Sequence, residues 1–443
     1  MSRTLIKQAT LVNENQQFIG DVLIENGRIN KIAPQIDCQA DVEINAEGLH
    51  LLPGMIDDQV HFREPGITHK GDIASESRAA IAGGTTSYME MPNVNPPSVT
   101  LEALEAKYAI GAEKSWANYS FYLGGTNDNA EEVARVNPKT VCGVKVFMGS
   151  STGNMLVDQE TALRAIFSNS PIIITTHCED TPMIKANEDL YREKYGEDVP
   201  MSAHPIIRNR EACYKSSSMA VKLAKETGAR LHILHITTKE ELDLFTPGPL
   251  ADKKITAEAC VHHLWFTDAD YDTKGSLVKC NPAIKSQSDR DAIRQAVIDG
   301  RIEVIATDHA PHTWEEKQNT YFKAPAGLPQ VQQSLSALLD LYHQGVFTLE
   351  QIVDRTSHNV ARLFEVKDRG FIREGYWADL VLVDLQRPHV DDKAHNLYKC
   401  QWSPWEGHEF QSSVVKTLVN GRVMYDQGQF ANFTPGQRLE FNR

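Results

Sequence analysis

His61, His177, His235 and Asp308 carry the clearest chemical potential in this chain, because each stands late in an apolar or β-branched run: Gly54 to Phe62, Ile172 to Glu179, Arg230 to Thr237 and Ile302 to Ala310. Neutral imidazole and carboxylate are the ligands that zinc and similar divalent ions take, and a catalytic ion keeps one position for water. One strand-end histidine is more often a buried, hydrogen-bonded residue than a ligand, so the inference rests on the set. His232, three residues before His235, points to the other face of its strand and reads as core or as support for a ligand.

Lys145 lies among Val144, Val146 and Phe147, where a lone ammonium is costly to bury. Burial lowers a lysine pKa and yields a nucleophilic amine that can add carbon dioxide. The resulting carbamate is an anionic, two-oxygen bridge suited to two metals. Arg63, Asn93, Asn281 and His312 are polar residues of the loops that would surround such a centre. A forked guanidinium matches a carboxylate, and asparagine offers a cyclic amide both an acceptor and a donor.

These residues need elements that converge. Eight apolar or β-branched runs alternate with helix-like segments: 54–62, 84–92, 117–125, 141–148, 172–179, 230–237, 255–263 and 302–310. Eight β units with helical crossovers predict a (β/α)8 TIM-type barrel, whose chemistry sits where the strand ends meet. The ends of the chain have another texture. Short alternating runs with Asn26-Gly27 and Asn420-Gly421 hairpin signals predict antiparallel strands. Residues 1–52 and 367–443 are expected to form one composite β-sandwich domain, with the barrel over 53–366. Thr348 with Gln351 carries the capping-box spacing of a helix start.

A formal net charge of -14 over 443 residues argues against a sequence-independent grip on nucleic acid or on an anionic membrane, and favours a small-molecule partner. The seven cysteines are scattered, without a C-x-x-C pair, as expected for reduced thiols in a cytoplasmic protein. No run approaches the roughly 18 apolar residues of a membrane span.

The chain also resembles the cyclic amidohydrolases and, within them, the dihydroorotases. The shared motifs are Leu52-Pro-Gly-Met-Ile-Asp, Val60-His-Phe-Arg-Glu-Pro-Gly, Ala82-Gly-Gly-Thr-Thr, Met91-Pro-Asn, Lys145, His177-Cys-Glu-Asp, His235, His262-His-Leu, Asn281-Pro, Ala306-Thr-Asp-His-Ala-Pro-His and Ser403-Pro-Trp-Glu-Gly. The resemblance implies reversible hydrolysis of dihydroorotate to carbamoyl-aspartate, a step of pyrimidine synthesis, on one or two zinc ions. It assigns Lys145 as a carbamate, His177 and His235 to the more exposed ion, and His61 and Asp308 to the more buried one. Asp308 is also the proton shuttle, and Asp57 orients an imidazole or amide. Arg63, Asn93 and His312 would read the substrate carboxylate, while Asn281 and the backbone of Ala326 and Gly327 would meet the ring amide. Residues 149–154 would be a lid using Ser151 or Thr152.

One position departs from the pattern. Gln59 stands where the family has the first histidine of His-x-His, and an amide oxygen is a poorer zinc ligand than imidazole. The buried ion site is therefore open to being empty, weak or filled by another metal. Allantoinase, hydantoinase and dihydropyrimidinase are the alternative activities. A silent partner of aspartate transcarbamoylase is the alternative from another class, and a homodimer or higher homo-oligomer is expected.

Overall fold

The computed structural model describes residues 3–149 and 155–443. Each of the eight expected runs contains a strand: Met55–Val60, Thr85–Glu90, Asn118–Phe121 continued by Leu123–Gly124, Val144–Phe147, Ile174–His177, Leu231–Ile233, Ile255–Cys260 and Val304–Ala306. They pair in parallel and in sequence order. The ring closes between the eighth and first runs, where the His61 amide donates to the His309 carbonyl at 2.7 Å. The fold is thus a (β/α)8 barrel joined to a β-rich unit. Parallel strands covered on both faces bury every residue, which is why the runs show little alternation.

Helices fill most crossovers. Gln287–Asp299, after the seventh strand, shows why: Ser286 and Asp289 cap its start reciprocally, Ile293, Ala296 and Val297 face the barrel, and Gly300 ends it at φ 76°. The sixth crossover holds only the short 3-10 turns Glu241–Leu244 and Leu250–Asp252. Beyond the barrel, Thr348 and Gln351 form the expected capping box at the start of Leu349–Val353. The following residues seal the end of the barrel where the strands begin. There the Ser357 hydroxyl donates to the Gly54 carbonyl at 3.1 Å, the Asn359 amide to Glu303 at 3.0 Å, and Phe364 packs with Ile56, Tyr122 and Val304.

The chain ends meet in one nine-stranded sheet, in which Leu51 and Leu52 pair antiparallel with Leu382 and Val381. Its apolar side holds Ile6, Leu11, Val22, Ile24, Leu51, Leu380 and Leu418 in a core of its own. Two pieces of the C-terminal region leave this sheet for the barrel. Trp402 donates its indole N–H to the His312 carbonyl at 2.7 Å, and the Leu439 amide donates to Tyr119 at 2.9 Å. Both carry large apolar side chains that the barrel buries. Among the described residues, no helix is long and apolar enough to cross a membrane.

Both Asn-Gly pairs form two-residue hairpin turns with positive φ at each position, 52° and 82° at Asn26-Gly27 and 50° and 76° at Asn420-Gly421. The two tips abut, so that a Cβ on Gly27 would lie 2.7 Å from the Asn420 carbonyl oxygen. Gly27→Ala is expected to cost about 1–3 kcal/mol of stability, from strain plus this collision, as read by denaturant unfolding. An unchanged midpoint would contradict the packing of the two tips.

Candidate active site

Converging strand ends bring His61, Asn93 and Asp308 into one group. The His61 Nδ1 lies 2.8 Å from the Asn93 amide oxygen and its Nε2 lies 3.1 Å from Asp308 Oδ1. With Nδ1–H donating to Asn93, Nε2 turns a lone pair toward a carboxylate, an arrangement that calls for a cation between them. A second pair stands beside it. His177 Nε2 donates to Glu179 Oε2 at 3.0 Å, an oxygen that also accepts from Arg208 at 2.5 Å. This leaves the His177 Nδ1 lone pair facing His235 Nε2 at 3.1 Å.

That spacing approaches the about 3.4 Å between neighbouring ligands of a tetrahedral zinc whose bonds are about 2.1 Å. Burial holds all three imidazoles below their usual pKa, His61 and His235 far below it, so they present the neutral form that a metal requires. The residues present therefore fit a divalent ion.

Lys145, within the fourth strand, is buried, and burial lowers its ammonium to about 8 against the opposing charges of Asp308 and Glu258. Burial likewise raises Asp308 to about 6, with His262 and Lys145 pulling the other way. Backbone strain concentrates here. Arg63, His235 and Asp308 have φ of 71°, 42° and 50°, a region that costs a side-chain-bearing residue energy and is held only where its surroundings dictate it.

Asp57 orients no imidazole: it accepts from the Thr307 hydroxyl at 2.6 Å and from the amides of Thr307 and Gln59 at 3.2 Å each, fastening the first strand to the eighth. Burial pushes its carboxyl up to about 7. Gln59 turns its amide oxygen toward the seventh strand, where the Cys260 thiol meets it at 3.7 Å.

Arg63 lines a neighbouring pocket. Its Nε donates to the Pro311 carbonyl at 3.1 Å, and its Nη2 lies 3.2 Å from His312 Nε2. His312 accepts from Lys70 through Nδ1 at 3.0 Å and donates through Nε2 to the Ala326 carbonyl at 3.0 Å. In that tautomer Nε2 has no lone pair for Arg63. The guanidinium is thus 3 % exposed, with its pKa lowered by burial to about 10, and no carboxylate among the described residues forms an ion pair with it.

Gly327 follows at φ 142°, where a Cβ would strike the Ala310 carbonyl, and its own carbonyl accepts from the buried Lys317 at 2.9 Å. Asn281 stands in the loop after the 3-10 turn Gly275–Val278, and its buried amide oxygen has no hydrogen-bond partner among the described residues. Of the expected lid, Ser151 and Thr152 lie outside the described residues.

Several residues here escaped the sequence reading. Lys70 and Lys317 act through contacts that no spacing reveals, and Glu179, visible in the His177-Cys-Glu-Asp motif, was given no role although it holds His177 two residues before it. Cys260, His262 and His263 come within 4.8 Å of one another beside the centre. The pair of adjacent histidines was visible as a motif, without a role.

A profile of the Amidohydrolase family matches residues 50–424. The chain belongs to that family. Among relatives of this amidohydrolase, a dihydroorotase of Halobacterium salinarum is 35% identical, covering 92% of this chain and 94% of the relative. An allantoinase of Deinococcus radiodurans is 29% identical over 98% of each. Among solved structures, an L-hydantoinase (dihydropyrimidinase) from Arthrobacter aurescens superposes with a TM-score of 0.94 at 25% identity, covering 99% of this chain and 100% of that one. The resemblance to dihydroorotases noted in the motifs is borne out by such relatives.

Because Glu179 fixes the tautomer and orientation of His177, Glu179→Gln is expected to weaken divalent-ion binding at this amidohydrolase centre about 10–100-fold in a metal titration. Unchanged affinity would remove its orienting role.

Proposed function

We propose that this amidohydrolase is a dihydroorotase, opening the cyclic amide of dihydroorotate to carbamoyl-aspartate and closing it in reverse. The observation that carries the reading is Arg63: a buried guanidinium that forms no ion pair with a carboxylate among the described residues, beside the candidate centre. Asp308, Glu90, Glu316 and Glu76 act on it only from a distance, and a buried cation without a direct ion pair is costly unless a ligand supplies one. Dihydroorotate brings a carboxylate to the ring; hydantoin and dihydrouracil bring none.

His177, His235 and Lys145, the last as a carbamate, would hold one zinc ion, and His61 with Asp308 would support the more buried position that Gln59 weakens. A bound ion supplies Lewis-acid polarisation of the ring carbonyl and a more acidic attacking water. Asp308 accepts a proton from that water as its oxygen adds to the carbonyl carbon, then delivers the proton to the ring nitrogen as the C–N bond breaks. A carboxyl raised toward neutral pH can both take and return a proton. Arg63 receives the substrate carboxylate, with Asn93 and His312 at its side, while Asn281 and the Ala326-Gly327 backbone take the ring amide. On this reading the chain acts in the cytoplasm as a homo-oligomer.

Assay of the zinc-loaded protein with dihydroorotate, allantoin, hydantoin and dihydrouracil tests the proposal, with dihydroorotate expected to be preferred. Turnover of allantoin and not dihydroorotate overturns it. No turnover at any metal loading, together with co-purification of aspartate transcarbamoylase, supports the silent-partner reading instead. Arg63→Met is expected to lower kcat/KM for dihydroorotate about 100-fold with metal content intact. Asp308→Asn is expected to lower kcat about 10²–10⁴-fold; near-normal turnover would exclude it as the proton shuttle.

A further inference from the structure

Inside the barrel, the first, sixth and seventh strands each aim one ionisable side chain at a common point. Asp58, His232 and Glu258 have no solvent exposure, and their ligand atoms all lie within 4.8 Å of one another. None of these three residues belongs to the set at the mouth. Four of their polar atoms, both Asp58 carboxylate oxygens, His232 Nε2 and Glu258 Oε2, are buried without a hydrogen-bond partner among the described residues. Leaving so many polar atoms unsatisfied in one closed space is costly enough to demand an occupant.

The chemistry of that occupant follows from the tautomer. His232 Nδ1 lies 2.8 Å from the Thr256 hydroxyl, which itself directs its hydrogen to the Leu231 carbonyl at 3.3 Å. The hydroxyl therefore accepts from Nδ1–H, and Nε2 points a lone pair at two carboxylates. Its distances to them, 3.4 Å to Asp58 Oδ2 and 3.9 Å to Glu258 Oε2, exceed the about 2.7–3.2 Å of an N–H···O hydrogen bond. The first matches instead the about 3.4 Å edge of a tetrahedron of ligands about 2.1 Å from a zinc-sized ion, and the second is about half an ångström longer, which binding would close.

We propose that Asp58, His232 and Glu258 form a closed divalent-cation site inside the barrel, separate from the centre at the mouth. One imidazole and two carboxylates suit zinc or another first-row ion, and two carboxylates neutralise its charge. The second Asp58 oxygen is available as a fourth ligand, which leaves no open position for water and makes the role structural. The site reaches the mouth through Glu258, whose Oε1 accepts from the His235 amide at 3.0 Å. An ion holding the other oxygen of Glu258 fixes the strained His235 backbone.

The direct test is diffraction from crystals of the unmodified protein grown with zinc, measured above and below the zinc edge. An anomalous peak within about 2.0–2.2 Å of Asp58, His232 and Glu258 is expected, besides any at the mouth. No peak there, or closure of His232 onto Asp58 to hydrogen-bond distance, overturns the proposal. In solution, Asp58→Asn is expected to lose one ion per chain that the wild type keeps through chelator dialysis, whereas His177→Ala keeps it. Retention of that ion by Asp58→Asn also overturns the proposal, and the diffraction result decides if the variant does not fold.

Discussion

The seam between the first and eighth strands is the constraint on which the site depends. Asp57 spans it with bonds to the Thr307 side chain and backbone, and the His61 amide completes it on His309. Only with the seam closed do His61 and Asp308, nearly 250 positions apart in the chain, stand 3.1 Å from each other. Gln330 fastens the same corner from outside, donating to the Thr307 carbonyl and lying 2.6 Å from His262.

Closing the barrel on so many ionisable groups sets their chemistry. Burial lowers the imidazoles and Lys145 and raises Asp308 and Glu258, so the interior favours neutral forms wherever no opposite charge arrives. Lone pairs are then aimed at carboxylates, as from His61 Nε2 at Asp308. Cations resolve these conflicts, and the strained backbones of Arg63, His235 and Asp308 show that the surrounding packing holds the groups in place beforehand.

The barrel was legible in the sequence because parallel strands covered on both faces become continuous apolar runs, and polar residues late in such runs stand out. Hairpins were legible from Asn-Gly, since left-handed backbone selects those residues. Asp57 was expected to hold an imidazole or amide and holds backbone amides; its chief partner, Thr307, was not legible because it lies on the far side of the closure and carries no chemical signature of its own. Asp58 and Glu258 were passed over for a similar reason: an acid inside a run is conspicuous only once the facing strand is known. Asn281 was read as a loop residue, but its place was not legible: the helices after the seventh strand intervene before it, and loop paths of that length leave no periodicity to read.

Specificity within the family comes down to what neutralises Arg63. Its guanidinium is held by the Pro311 carbonyl and crowded by a histidine that has already committed its proton to Ala326, leaving the Nη groups to an incoming anion. The measurement that bears most directly on this account is a crystal structure of the zinc-loaded protein with dihydroorotate or carbamoyl-aspartate bound. The account predicts a ligand carboxylate within hydrogen-bond distance of Arg63 and the scissile amide beside Asp308. A ligand whose carboxylate lies away from Arg63, with the guanidinium still unpaired, would contradict it.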